Sequence, residues 1–403
     1  MTLERFPNLV LTWLTILTRL GKQGWWVSAL LWFMALPTTS WANPLPKASL
    51  ELRVAIEEGV GEVNVGSSTK AVVRDSAGKP LGEIAAMNAF VAQANGGSVQ
   101  LDRWRSPQVW IEPVDGGYVY IGNRWYRGRA LVVPTSGGLT AVNYVDLEHY
   151  LYSVLGAEMG GSFPQEALKA QAVAARSYAL FQRQKARNGV FDLGDTQAWQ
   201  VYRGIQDESV GTQTAVNATA GQVLTHNNQI IEAVFHSSAG GCTENVEDVW
   251  MQPLPYLRSV KEGFTENSPV AQWTKNYSPS ELSKLITGVG TIVAMQPAKT
   301  TQCGRIVSML VEGDGGRRTV SGDTLRSALG LRSTLFEVLP QYGSSNKGKS
   351  SAITGFQVNG RGFGHGLGLS QYGARSLAQL GYNYQQIVLF YYKDTKLAQL
   401  QVQ

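Results

Sequence analysis

The stretch from Gln165 to Leu180 constrains the fold most. Alanine stands at 167, 170, 172, 174, 175 and 179, with no glycine or proline to interrupt it. That composition strongly favours an α-helix, and so many short side chains imply close packing against another element. Ser162, Pro164 and Gln165 resemble a helix start, a capping box with proline in the first turn. Just upstream, from Asp146, Leu147, Leu151, Val154 and Leu155 recur at helical spacing and stop at Gly160-Gly161. Two helices joined by so short a connection predict a hairpin.

The rest of the chain reads differently. Residues 43–140 alternate short apolar runs, such as Leu50–Ile56 and Gln108–Ile111, with turn pairs at Gly116-Gly117, Gly122-Asn123 and Gly137-Gly138. Residues 190–345 return to strands and loops with one or two short helices, and the polar segment Tyr342–Ser351 reads as a loop. The expected class is α+β: β-rich, with a central helix pair, a glycine-rich loop and C-terminal helices.

The N-terminus has the form of a secretory signal. Arg5, Arg19 and Lys22 precede the mostly apolar run Trp25–Leu36, followed by Pro37 and the small-x-small triplet Ser40-Trp41-Ala42. The run is shorter than the ~20 residues a spanning helix needs, though an uncleaved anchor is the competing reading. The expected division is a signal over 1–42, a β-rich region over 43–125 and a catalytic domain over 126–395, in an exported protein of periplasm or cell wall. The net charge is only +5, two of it within the first 42 residues, too little for an electrostatic nucleic-acid binder. Cys242 and Cys303 are the only cysteines. In an exported chain they permit one disulfide, which we expect, against two buried free thiols.

Three features carry candidate chemistry. Glu158 continues the apolar stripe of Leu151 and Val154 into the last helical turn, where desolvation and the helix dipole both favour the protonated form a general acid needs. The competing reading is an exposed residue at a frayed helix end. Arg176 has only Ala172, Val173, Ala179 and Leu180 as helical neighbours; it either snorkels to the surface or finds a tertiary carboxylate or ligand, and Glu158 is within reach of the hairpin. Glycine fills every even position from 360 to 368. As an extended strand this gives one bare face and one bearing Arg361, Phe363, His365, Leu367 and Leu369, leaving His365 and Gln371 as polar contacts for a ligand. No dinucleotide fingerprint fits there. A serine hydrolase is disfavoured because no Gly-x-Ser-x-Gly occurs.

Three blocks in order resemble the stage II sporulation protein D and LytB family: Tyr150–Met159 with Pro164–Tyr178, then Phe235–Gly241 with Glu247–Trp250, then Gly364–Ala374. The resemblance spans roughly residues 125–395. It implies a peptidoglycan lytic transglycosylase needing no cofactor, with Glu158 as acid/base and Arg176 and Ser177 beside it. We expect the glycine-rich segment 360–373 to line the sugar groove, with His365, Ser370, Gln371 and Tyr372 as substrate contacts and His236 joining them. Tyr372 would offer a ring face to a pyranose. A single glutamate fits this chemistry: a hydrolase normally needs two carboxylates, whereas a transglycosylase uses the sugar's own 6-hydroxyl as nucleophile.

The resemblance also implies a zinc site in some members. His236 and Cys242 match its first half, but Glu247 and Asp248 replace the later His-Cys pair, so no metal is expected here. The implied partner is the peptidoglycan glycan strand. On the LytB side the family implies a non-catalytic amidase enhancer, with a cell-wall amidase as partner.

Overall fold

The computed structural model describes residues 50–186, 189–250, 252–264, 268–343 and 352–401, which form one compact unit. The expected signal over 1–42 lies outside the described residues, as does most of the Tyr342–Ser351 loop.

Two antiparallel sheets share the first core. One runs, in spatial order, through Glu51–Val60, Gly138–Asp146, Arg129–Thr135, Val109–Pro113, Ala71–Arg74 and Pro80–Ile84, with the short Leu193–Gly194 added parallel at the Glu51–Val60 edge. The other contains Arg124–Tyr126, Val119–Ile121, Glu62–Ser67, Ala89–Asn95, Ser98–Leu101 and Trp104–Ser106. Alternating residues such as Val63, Val65, Val99 and Leu101 meet Val73, Val109, Ile111 and Val132 from the facing sheet. No break falls at residue 125. Strand Arg124–Tyr126 spans that point, and Glu51–Val60 pairs along nearly its whole length with Gly138–Asp146.

Eight helices are described: α1 (Leu147–Glu158), α2 (Gln165–Lys185), α3 (Val210–Ala218), α4 (Val246–Val249), α5 (Pro279–Leu285), α6 (Gly322–Ala328), α7 (Gln371–Gln379) and α8 (Tyr384–Tyr391). The Asp146 side chain caps α1 by accepting from the backbone of Glu148 and His149. The helix stops where Gly160 takes φ +76°. The capping box expected at Ser162 does not form: Pro164 is the N-cap of α2 and no side chain bonds there. Proline needs no cap for its own nitrogen, and its fixed φ suits the entry. From Ala170 to Leu180 every residue of α2 is buried, because α1, α3, α7, α8 and strand Gln222–His226 all pack around it. The alanines permit that crowding.

A second, separate core occupies residues 272–361, a region the sequence suggested as strands and loops with one or two short helices. Sheets Gln272–Tyr277/Ile353–Arg361/Phe336–Tyr342 and Ile292–Thr300/Ile306–Gly313/Gly316–Ser321 enclose Met309, Val311, Leu325, Phe356 and Val358 together with α5 and α6. Its strands are exposed along much of their length, so their apolar alternation is faint. Cys242 and Cys303 form a disulfide with Cα atoms 5.9 Å apart, tying the loop after residue 236 to this module.

Candidate active site

Glu158, the last residue of α1, lies half-buried in a cavity of about 380 Å³. The backbone N–H of Val201 donates to its Oε1 at 3.0 Å, and the Gln371 Nε2 donates to Oε2 at 3.2 Å. Burial raises its pKa above the ordinary carboxylate value; the two donors and the charge of Arg203 pull the other way and do not prevail. Both hydrogen-bond donors are neutral. Such a carboxyl can hold a proton and give it up. It is the one carboxylate among the described residues lining the cavity.

Gln371 is placed by α7. Ser370 Oγ caps that helix, accepting from Gly373 N at 3.1 Å and from Ala239 N at 3.3 Å, and Leu369–Ser370 pairs parallel with Phe235–His236. Ser370 is fully buried and does not line the cavity.

The glycine-rich segment is not an extended strand with one bare face. Strand Ile353–Arg361 ends, and Gly362, Gly364, Gly366 and Gly368 all take positive φ. Alternation at every second residue mimics the period of a strand, but these conformations favour glycine for steric reasons. Gly364 also lies where a Cβ would stand 2.7 Å from the His236 Cβ. Arg305, closed on Glu244, holds the loop by donating to the Gly364 carbonyl at 3.2 Å and the Ala239 carbonyl at 3.0 Å.

The histidines therefore differ from expectation. His365 Nδ1 accepts from Leu367 N at 3.0 Å, so the proton sits on Nε2, which donates to the Phe235 carbonyl at 2.9 Å. With both nitrogens occupied, His365 offers a ligand only its ring, stacked near Trp250 at 5.4 Å. His236 Nδ1 donates to the Leu367 carbonyl at 3.0 Å, leaving a buried Nε2 lone pair with no hydrogen-bond partner. Burial pushes the His365 pKa down to about 4 and that of His236 well below its usual value, so both rings are neutral at pH 7.

Arg176 finds a carboxylate, but not Glu158. Its guanidinium, fully buried, donates to Glu148 through Nε at 2.9 Å and Nη2 at 2.5 Å, and through Nη1 to the Gln222 carbonyl at 3.0 Å. Ser177 Oγ donates to Val173 O at 2.7 Å and accepts from Leu224 N at 2.8 Å. Neither lines the cavity; their neighbour Tyr178 does. Tyr372 is also outside it, edge-on to Phe163 with ring centroids 5.4 Å apart.

The residues at the zinc-like positions do not fit a metal. Cys242 is in the disulfide, Glu247 is paired with Arg258, and Asp248 accepts from Asn245.

Trp199, Val201 and Arg326 line the cavity without having been singled out in the sequence, and Trp250 and Phe363, noted there only as parts of motifs, line it too. Trp250 and Phe363 are 39% and 37% exposed, large aromatic groups left at the surface beside a cleft. Trp199 sits over Gly194, whose Cβ would meet the indole at 3.0 Å. An aromatic ring directly after the polar run Asp195–Gln197 and Ala198 was the available signal.

Among known proteins, the chain is 34% identical over 283 residues to stage II sporulation protein D of Bacillus subtilis, covering 64% of this chain and 76% of that one. The chain belongs to the stage II sporulation protein D family. The family's own model, described as stage II sporulation protein, matches residues 135–226. An uncharacterized protein of Brachyspira hyodysenteriae is 28% identical over 277 residues, 68% of this chain and 72% of the relative. The amidase enhancer of B. subtilis is 31% identical over 295 residues, 61% of this chain and 40% of that protein. Residues 254–368 match a separate domain of unknown function. For this stage II sporulation protein D relative, the family model thus covers α1, α2 and Glu158, while Arg326, Phe363 and His365 come from the region of the second match.

Proposed function

We propose that this protein cleaves the glycan strand of peptidoglycan by lytic transglycosylation. The observation that carries the reading is Glu158: a lone carboxyl in an aromatic-walled cleft, held by neutral donors and biased toward its protonated form. Protonated Glu158 gives its proton to the glycosidic oxygen as the C1–O bond breaks. The carboxylate left behind, supported by the Val201 N–H and Gln371 amide, accepts the proton of the same sugar's 6-hydroxyl as that oxygen bonds to C1. The product is a 1,6-anhydro ring, no water is consumed, and Glu158 ends protonated. Acid/base catalysis of this kind contributes about 10²–10⁴-fold. The rings of Trp199, Trp250 and Tyr178 suit the apolar faces of pyranoses. Arg176 and Ser177 act as positioning residues that fix α2 against α1 and strand Gln222–His226.

Export belongs to this reading, supported by the leader-like sequence over 1–42 and by the Cys242–Cys303 pairing. A second reading follows from the 31% identity to an amidase enhancer: glycan is bound without being cut, to the benefit of an amidase. Purified glycan strands incubated with the protein and analysed by mass spectrometry separate the two. Anhydro ends, one water lighter than hydrolytic ends, are expected; reducing ends alone would sink the transglycosylase reading. Intact strands together with a stimulated amidase would favour the enhancer.

A further inference from the structure

The cleft has a second charged group that the reaction above does not use. Arg326 lines the same cavity as Glu158, yet it comes from the other core, on the last turn of α6. Leu325 and Leu329 hold that helix in the second core, and Ser321 Oγ caps it. The turn that follows is tied to the glycine loop, with Gly364 N donating to the Arg332 carbonyl at 3.0 Å. The arginine is thus carried on a braced backbone.

Its head has no partner among the described residues. The buried guanidinia of Arg176 and Arg305 are closed on Glu148 and Glu244, and the half-buried one of Arg127 on Glu208. Arg326, although partly buried, makes no side-chain hydrogen bond or ion pair with any described residue; the carboxylate whose charge reaches it is Asp323, exposed one turn earlier on its own helix. Desolvation lowers its pKa from the usual arginine value, the sign of a cation short of compensation. The cleft is polarised. The charges of Arg305 and Arg326 act on His236 and His365, whereas the cation acting on Glu158 is Arg203. His236 lines the same cavity, and its Nε2 lone pair, in a residue 5% exposed and with no hydrogen-bond partner among the described residues, calls for a hydroxyl or amide donor.

We propose that Arg326 is a specificity-determining residue that binds a carboxylate of the substrate at the histidine end of the cleft, beside a hydroxyl or amide donated to His236. The inference rests on the glycan reading and deepens it: the module over 254–368 selects an acidic sugar strand. A guanidinium binds a carboxylate through two parallel charge-assisted hydrogen bonds, whereas a neutral sugar offers it only uncharged hydroxyl acceptors. The carboxylate comes either from the sugar's own lactyl ether or from a peptide attached to it.

Equilibrium binding tests this in the Glu158→Gln background, where strands stay intact. Three probes are compared: peptide-free strands, peptide-bearing strands, and peptide-free strands whose carboxylates are reduced to alcohols. The parent should bind a carboxylate-bearing strand at least about tenfold more tightly than the reduced one. Adding Arg326→Ala should erase that preference with no loss at the reduced probe, and Arg326→Lys should restore part of it. Preference already present on peptide-free strands assigns the lactyl group; preference only on peptide-bearing strands assigns the peptide. A preference that survives Arg326→Ala, or a parent with none, overturns the proposal. Wild-type protein that fails to cut while keeping the Arg326-dependent preference would remove the transglycosylase reading alone, and a parent binding none of the probes would remove both.

Discussion

Glu148 stands in the first turn of α1 and Glu158 in its last, one helix apart and in opposite electrostatic settings. Arg176 closes Glu148 with two charge-assisted hydrogen bonds, and Gly221 N donates to the same carboxylate at 3.0 Å. Glu158 receives a backbone amide and a glutamine amide instead. A guanidinium fixes the ionised form and makes the first glutamate a structural joint. Neutral donors with desolvation leave the second able to exchange its proton. The same residue type on the same helix becomes scaffold or acid according to the charge of what it meets.

Breaking the scaffold end should produce the largest stability change. Arg176→Ala leaves Glu148 without its cation and should cost about 3–5 kcal/mol, read from urea unfolding. If the variant instead unfolds like wild type yet no longer cuts glycan, Arg176 acts at the chemistry and the contrast between the two ends fails. Gly364→Val comes next. It adds a β-branched residue at φ +110° with its Cβ 2.7 Å from that of His236, and should lose about 2–4 kcal/mol from strain and overpacking. A wild-type melting temperature would show that the loop has room to rearrange. The smallest effect sharpens the acid end. Gln371→Ala removes a donor that favours the ionised form of Glu158, so the pKa of Glu158 rises and the alkaline limb of the pH–rate profile moves to higher pH. A limb that stays put or moves down would mean Gln371 does not act on that carboxyl.

The partner of Arg176 was more legible than its sequence neighbours suggested. In an antiparallel hairpin at 1.5 Å per residue, Arg176 lies about 16 Å along α2 from the connection, and Glu148 about 15 Å back along α1. Register therefore opposes it to Glu148, while Glu158 adjoins the connection itself. The two helices and Glu158 were readable because a 3.6-residue stripe carries its own geometry. The glycine loop was misread because alternation is also the signature of a strand, and only backbone dihedrals separate a bare face from a series of left-handed turns. Ser370 and Tyr372 fell near the cleft in sequence but turned inward to cap α7 and to meet Phe163. Arg326 was invisible for a different reason: it reaches the cleft from the second core, through contacts that no local pattern encodes.

The central claim is that Glu158 moves the proton. It is tested most directly by the rate at which anhydro ends are released from purified glycan strands by wild type and by Glu158→Gln, with equal folded protein verified by circular dichroism. The amide keeps the size of the side chain and removes its exchangeable acid. The account predicts a loss of about 10²-fold or more in the variant with glycan binding retained, and release within a fewfold of wild type would contradict it.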